Sequence, residues 1–467
     1  MKNMNNSQFP KLSAGAHIHM VGIGGISMSA LAHILIYLGY KVSGSDRCES
    51  PLTEKLKQSG VEIHIGHSAD NVAASNGSAV PSLVCYTAAI PKDNPELVKA
   101  HSLGIPTLER AELLGRILKH YKFPIAVAGT HGKTTTTSML SLILLSAQLN
   151  PTILVGGELA QIDGNYKIGD EKYLVFEACE YVESFLHFEP FMSVITNVEE
   201  DHMDYFSSLN HIISSFEKFA RLNSPLGCII VCSDDKNAAT VVQNIDRKVV
   251  KYAVNDENAQ VKAQNIVHTP QGRTNFSIIA DGKLYAEVSL SVHGLHNVYN
   301  ALGAAAAAYE LGISGEAVKK GLESFTGAKR RFESVGTFDG VAVIDDYAHH
   351  PTEIESTLKA AQEIKKGDIW CVFQPHTYSR TKAFLDDFAK ALSHADKAII
   401  ADIYPAREKY DGTIHSCDLA AKCKNGVYIN NFDAIKRYIQ KNAKAGDTVI
   451  TMGAGDIYKV GRELVVK

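Results

Sequence analysis

A chain of 467 residues with 45% hydrophobic and 21% charged residues and a mean hydropathy of −0.06 has the make-up of a soluble globular protein of about three domains. A formal net charge of −4 leaves no overall basic footprint, so nucleic acid is not an expected partner. The start, MKNMNNSQFPKL, has no apolar signal core, and the longest apolar stretches, near 26–40 and 139–149, are too short or too polar to span a bilayer. With eight cysteines and no CxxC pair, the reading is reduced thiols in a cytoplasmic protein without membrane insertion.

From residue 17 to about 122, short apolar runs at 17–21, 41–44, 61–65, 83–86 and 105–107 alternate with helical patterns at 27–38, 51–59, 95–103 and 109–120. Alternation of this kind predicts a parallel sheet covered by helices, a Rossmann-like α/β domain. The first turn, Gly22-Ile23-Gly24-Gly25-Ile26-Ser27, approximates GxGxxG, and Asp46 follows at the end of the second strand. That context suits a nucleotide diphosphate, or a glycine turn needed only for close packing. Residues 119–124 read as a linker.

The central segment opens with IAVAGTHGKTTTTSMLSLILLSAQL at 125–149. A buried strand, Gly129-Thr130-His131-Gly132-Lys133-Thr134-Thr135 and about four helical turns make a phosphate-binding loop. Backbone N–H groups and the helix N-terminus cradle phosphate. Lys133 is predicted to reach the β/γ-phosphates, and Thr134 a Mg²⁺ ion. The full pattern wants a glycine five residues before Gly132, where this chain has Val127. Two further strands end in Glu177-Ala178-Cys179-Glu180 and in Asn197-Val198-Glu199-Glu200-Asp201-His202. Acids at strand ends beside such a loop suggest a metal–nucleotide site. Glu177 is the first choice of ligand; Glu180 and Asp201 are ligands or solvated loop acids, and His202 is an unusual donor to Mg²⁺. Residues 251–292, with Asp281-Gly282, read as an antiparallel patch. In the next segment, His296 and Asn297 are helix caps or readers of an adenine edge.

After Ala328-Lys329-Arg330-Arg331-Phe332, strand–helix alternation resumes with strands at 341–344, 369–373, 397–403 and 448–452, a second Rossmann-like sheet. Its strand ends carry Asp345-Asp346-Tyr347-Ala348-His349-His350, Gln374-Pro375-His376-Thr377-Tyr378-Ser379-Arg380, Tyr404-Pro405-Ala406-Arg407-Glu408 and Gly453-Ala454-Gly455-Asp456. In an open α/β sheet such ends face one crevice.

Taken together, HMVGIGGISMSALA, SGSD, AGTHGKTTTT, TNVEEDHMD, HGLHNVYNALGA, AKRRFE, DDYAHHPTE and QPHTYSRT resemble the Mur ligase family over nearly the whole chain, and the shortened GTHGKT loop is a hallmark of that family. The resemblance implies three domains: 1–122 for a UDP-sugar, 123–326 for ATP, and 327–467 for the amino acid and for closure. It implies ATP-dependent joining of L-alanine to the carboxylate of UDP-N-acetylmuramate through an acyl phosphate, with Mg²⁺ at two sites, in a monomer or weak homodimer. Gly22, Gly24, Gly25, Asp46, His67 and Thr87 would hold the UDP-sugar. Gly129 to Thr135, His296, Asn297, Arg331 and Asp345 would hold ATP. Thr134, Glu177 and His202 would hold metal, and Tyr347, His349, His376 and Arg380 the amino acid. Lys133, His349 and Arg380 carry the catalytic assignment. The chain has Glu177-Ala178-Cys179-Glu180-Tyr181-Val182 where many relatives have EADESD, and Thr377 where some have arginine. The competing readings are a tripeptide-recycling ligase on the same UDP-sugar, a non-catalytic UDP-sugar and ATP-binding regulator, and an NAD enzyme built on the first turn.

Overall fold

The computed structural model describes residues 15–73, 80–269, 273–406, 408–410 and 412–466; the N-terminal stretch read above for a signal, and Arg407, lie outside the described residues. The molecule is α/β, built on three sheets. The first joins His17–Val21, Lys41–Asp46, Glu62–Ile65, Leu83–Tyr86 and Thr107–Glu109 in the order 3-2-1-4-5, all parallel. Its order reverses between His17–Val21 and Leu83–Tyr86. At such a switch point the helices leave in opposite directions and open a crevice, and Gly22 and Thr87 sit at its mouth.

The second sheet has ten strands. Seven run parallel: Val261–His268, Lys248–Ala253, Cys228–Cys232, Met192–Ile195, Phe123–Ala128, Tyr173–Glu177 and Thr152–Leu159. Thr274–Ala280 and Lys283–Leu290 add the antiparallel patch at one edge, turning at Asp281-Gly282 with φ of 46° and 75°, and Gly164–Lys167 pairs antiparallel at the other edge. The patch is shorter than residues 251–292 suggested, because Lys248–Ala253 pairs parallel with Cys228–Cys232. The strands the sequence reading missed include Cys228–Cys232, buried at every position. A strand covered on both faces shows no alternation to read.

The third sheet orders Glu333–Phe338, Val341–Asp346, Thr448–Met452, Ile369–Phe373, Lys397–Ile400 and Gly426–Tyr428, parallel except for its first pair. No helix among the described residues is long and apolar enough to cross a membrane.

Packing explains the position of the phosphate loop. Helix Lys133–Ser146 follows it and is buried from Thr134 to Leu144, wedged against Leu295–Glu310 and Gly315–Ser324. Its four threonines, Ser138 and Ser141 are inside because they lie between helices; the two serines return their hydroxyl hydrogens to the carbonyls of Thr134 and Thr137. Ala304 to Ala308 are fully buried, small side chains that let the helices approach.

The linker read at residues 119–124 is an ordered stretch of chain. Leu118–His120 is a 3₁₀ turn, and Pro124 already belongs to strand Phe123–Ala128. Tyr121 is buried and donates its hydroxyl to Thr152 at 3.2 Å. One apolar core runs from Leu31 and Leu114 of the first layer to Phe176 and Phe185 of the second. Helix Arg110–Ile117 presses on the 3₁₀ turn Tyr181–His187 so closely that a Cβ on Gly115 would lie 2.1 Å from the His187 carbonyl oxygen. Gly115→Ala is therefore expected to cost about 1–3 kcal/mol through overpacking, read as a lower urea midpoint with unchanged secondary structure by circular dichroism.

Candidate functional site

The loop's glycines are required by their neighbours. Gly129 and Gly132 have φ of 138° and 82°, and a Cβ on them would lie 2.0 Å from Thr196 Oγ1 and 2.3 Å from Asn300 Oδ1. The loop is fixed from the next strand: the His131 N–H donates to Asn197 Oδ1 at 2.8 Å, and Thr196 Oγ1 donates to the His131 carbonyl at 2.6 Å. Helix Lys133–Ser146 starts with no acidic residue in its first turn, so its N-terminal dipole is left for an anion.

Lys133 Nζ turns back to the Thr130 carbonyl at 3.0 Å and to Glu180 at 2.9 Å. Burial alone would lower its ammonium, but Glu180 outweighs this and holds it above its ordinary value. Glu180 is 3% exposed and also lies 3.7 Å from His202 Nε2, so it is a buried counter-ion and not a solvated loop acid. Thr134 Oγ1 donates to Glu177 Oε2 at 3.1 Å, and the Gly156 N–H donates to the other Glu177 oxygen. A Cβ on Gly156 would lie 2.8 Å from that carboxylate, so the second sheet leaves room for Glu177 by having glycine there. His202 sits in the left-handed region, φ 54°, with its ring 4.6 Å from that of Tyr181.

The third sheet closes on this loop. Arg380 gives Nη2 and Nε to Asp201 Oδ1 at 2.6 and 3.1 Å. Burial would raise the Asp201 carboxyl, but His202 and Arg380 hold it far below the usual carboxylate range; Asp201 too is no solvated acid. His349 gives its backbone N–H to Glu353 at 3.1 Å, and its Nδ1 lies 3.1 Å from the Tyr347 carbonyl. Burial lowers the His349 ring to about 3, so it is neutral. The His376 ring is 5.8 Å away.

Glu353 was not read from the sequence, yet it gathers the seam. Its carboxylate meets His131 Nδ1 at 3.2 Å, His349 Nδ1 at 3.4 Å and Arg331 at 3.6 Å. Burial opposes its charge, but the cations around it, His131 and Arg331 among them, outweigh burial and hold it well below its usual value. His131 also lies 3.5 Å from Glu199. Burial would lower this ring; Glu353 and Glu199 instead raise it to about 9. Thr352 Oγ1 donates to Glu199 at 2.7 Å and His350 Nε2 to the Glu200 carbonyl at 2.9 Å. The available signal was DDYAHHPTE itself, in which His350 caps helix Pro351–Ile364 and Glu353 follows in its first turn.

A cavity of about 1430 Å³ opens beside the loop. Of the predicted nucleotide residues, His131, Gly132, Thr134, Thr135, His296, Asn297 and Arg331 line it. Asn297 donates to the His293 carbonyl at 2.6 Å and accepts from Asn300 at 3.2 Å, while burial lowers His296 to about 4. Asp345 is turned elsewhere, toward Arg330 at 3.1 Å and Thr451 at 2.8 Å. Its neighbour Asp346 lines the cavity, its carboxyl raised by burial to about 6.

The predicted UDP-sugar residues form a second cluster at the first sheet's switch point, outside that lining. Asp46 Oδ2 accepts from the Gly24 N–H at 2.8 Å, the Gly25 N–H donates to the Gly22 carbonyl at 3.2 Å, and a Cβ on Gly22 would lie 3.0 Å from Thr87. His67 lies 2.9 Å from Glu96, a fully buried acid that also takes Ser45 at 2.7 Å and Asn71 at 2.6 Å. Glu96 was missed because its sequence context, at a helix start after Asn94 and Pro95, reads as an ordinary cap.

Three family models match in tandem: "Mur ligase family, catalytic domain" at residues 17–122, "Mur ligase middle domain" at 127–308 and "Mur ligase, glutamate ligase domain" at 330–455. The chain belongs to the Mur ligase family. It is 52% identical over 449 residues to a UDP-N-acetylmuramate–L-alanine ligase of Acetivibrio thermocellus, covering 95% of this chain and 94% of the relative. It is 49% identical over 454 residues to one of Alkaliphilus metalliredigens, covering 97% of each. Among solved structures of Mur ligases, the UDP-N-acetylmuramate–alanine ligase of Thermotoga maritima aligns at 32% identity with a TM-score of 0.79, covering 96% of this chain and 98% of that one. A murein peptide ligase of Psychrobacter arcticus aligns at 28% identity with a TM-score of 0.71, covering 97% and 98%.

The His131 pairing has a pH consequence. A folded-state value near 9 against an ordinary 6.5 means that the ring's contribution to stability is complete below about pH 6.5 and disappears as pH rises through about 9. The unfolding temperature should fall across that window, and His131→Gln should flatten the fall.

Proposed function

We propose that this chain joins L-alanine to the carboxylate of UDP-N-acetylmuramate at the expense of ATP, giving the amide, ADP and phosphate for peptidoglycan precursor synthesis. The convergence of a phosphate loop, acid-bearing strand ends and Arg380 on one seam carries the reading, and similarity to alanine ligases along nearly the whole chain supports it. We assign the division 1–122, 123–326 and 327–467 to UDP-sugar, ATP and amino acid; three separate sheets and the three matched segments support it.

The chemistry follows from the reactants. A carboxylate is a poor electrophile and becomes a good one as an acyl phosphate, so a γ-phosphoryl group must be moved to it while charge builds on the phosphate oxygens. The loop amides and Lys133 meet those oxygens, and Lys133 must leave Glu180 to do so. Thr134 and Glu177, hard oxygen donors with their side chains 3.1 Å apart, fit Mg²⁺. His202 beside Glu180 would serve a second ion. Such ions, when bound, would supply positive charge against the phosphate oxygens. Arg380 offers a planar pair of donors to the alanine carboxylate once Asp201 yields it. The alanine amine attacks as a neutral group. His349 is too weakly basic to store its proton for long, and accepts a hydrogen bond that orients it, with Tyr347 and His376 alongside. Closure of the third domain keeps water from the acyl phosphate.

Phosphate release should depend on L-alanine and UDP-N-acetylmuramate together, with the murein tripeptide giving less. Release driven by the tripeptide and not by alanine would move the assignment to the recycling ligase. Lys133→Ala should lower kcat at least ~100-fold; unchanged turnover would contradict its role. Arg380→Ala should raise KM for alanine roughly 10- to 100-fold while leaving KM for ATP near its wild-type value, measured by the same assay.

A further inference from the structure

The seam between the phosphate loop and the third domain holds a donor set that the ligase chemistry does not use. His131, Glu199 and His350 each present one ligand atom, and these atoms all lie within 4.8 Å of one another. The two imidazole rings are 4.8 Å apart, centre to centre. His131 Nε2 is buried and has no hydrogen-bond partner among the described residues; it lies 3.5 Å from Glu199 Oε2. Two ligands on a tetrahedral ion with bonds of about 2.0–2.1 Å stand about 3.3–3.4 Å apart, close to that separation.

The outer contacts are those that metal-binding imidazoles require. Glu353 lies 3.2 Å from His131 Nδ1, which places a proton there and directs Nε2 inward. The Glu200 carbonyl, an acceptor only, takes the His350 Nε2 proton at 2.9 Å, which leaves Nδ1 as that ring's lone pair. The contact of Nδ1 with the Thr352 N–H is long, 3.4 Å, and yields easily to a stronger partner. His131 and Glu199 both border the large cavity, so a fourth coordination position opens to solvent or to a phosphate oxygen.

We propose that His131, Glu199 and His350 form a binding site for a divalent transition-metal cation of the Zn²⁺ type. Two nitrogens and one carboxylate oxygen suit Zn²⁺ or Co²⁺, whereas Mg²⁺ prefers oxygen alone. The site is separate from Thr134 and Glu177. Because His131 is in the loop, Glu199 follows strand Met192–Ile195 and His350 opens the helix of the third domain, a bound ion ties the two domains together. It lies at His131 Nε2 beside Glu199, while Nδ1 keeps its contact with Glu353.

The test is a titration of the full chain, freed of metal by a chelator and returned to buffer with excess Mg²⁺, with Co²⁺. The expected result is one equivalent bound, with the intense visible absorption of four-coordinate Co²⁺, bleached by one equivalent of Zn²⁺. His350→Ala and Glu199→Gln, each with unchanged circular dichroism, should weaken that binding at least tenfold. Wild-type chain that develops no such absorption, or folded variants that bind Co²⁺ as wild type does, would overturn the proposal. If His350→Ala fails to fold, Glu199→Gln decides alone, since the Glu199 side chain is 31% exposed and its replacement leaves the seam's shape intact. The readout is binding and colour, so the result does not depend on which amino acid the enzyme uses.

Discussion

The Lys133 ammonium and the Glu180 carboxylate lie 2.9 Å apart with side chains 16% and 3% exposed, and neither has bulk water to fall back on. Removing one partner of such a pair leaves a buried charge uncompensated, a loss of about 3–5 kcal/mol. The same constraint recurs across the seam. Asp201 needs Arg380, and Glu353 needs His131 and Arg331. Asp201 of the second sheet meets Arg380 of the third, and Glu353 of the third meets His131 of the phosphate loop, so these charges are balanced only where the loop, the acid-bearing strands and the third domain meet. A pocket arranged in this way is set to accept a polyanion. In the proposed reaction, phosphates replace Glu180 at Lys133, and a substrate carboxylate replaces Asp201 at Arg380.

The sheets make that meeting possible. Parallel strands deliver all their carboxyl ends to one edge, and in the second sheet Phe123–Ala128 lies between Met192–Ile195 and Tyr173–Glu177. The phosphate loop, Glu177 and the Asn197-to-His202 segment are thereby neighbours by topology before any side chain is placed. The third sheet repeats the device, presenting Tyr347 to His350 and His376 to Arg380 from adjacent regions of its own edge. The first sheet does so at its switch point, where Gly22, Gly24 and Asp46 form a separate cluster.

How much of this was legible in the sequence varied with locality. The phosphate loop was readable because strand, glycines, lysine and helix lie within one short run. The first sheet was readable because its strands alternate with helices at regular spacing. Cys228–Cys232 was not, because an all-buried strand has no period. Glu180 and Asp201 stood open between ligand and solvated acid, since only the tertiary fold brings Lys133 and Arg380 to them. Glu353 was missed for the same reason: in sequence it is a first-turn glutamate of helix Pro351–Ile364, and its meeting with His131 spans two domains. The linker read at 119–124 lies where one family match ends, at 122, before the next begins, at 127; Tyr121 within it is buried and packs with both neighbouring layers.

In the proposed reaction a phosphoryl group moves onto a carboxylate at this seam before the amine attacks. The most direct measurement uses UDP-N-acetylmuramate carrying ¹⁸O in its carboxylate, with ATP and L-alanine, followed by mass analysis of the phosphate released. An acyl-phosphate route transfers one carboxylate oxygen to phosphate in each turnover, so singly labelled phosphate is the predicted product. Unlabelled phosphate formed in step with the amide would contradict it.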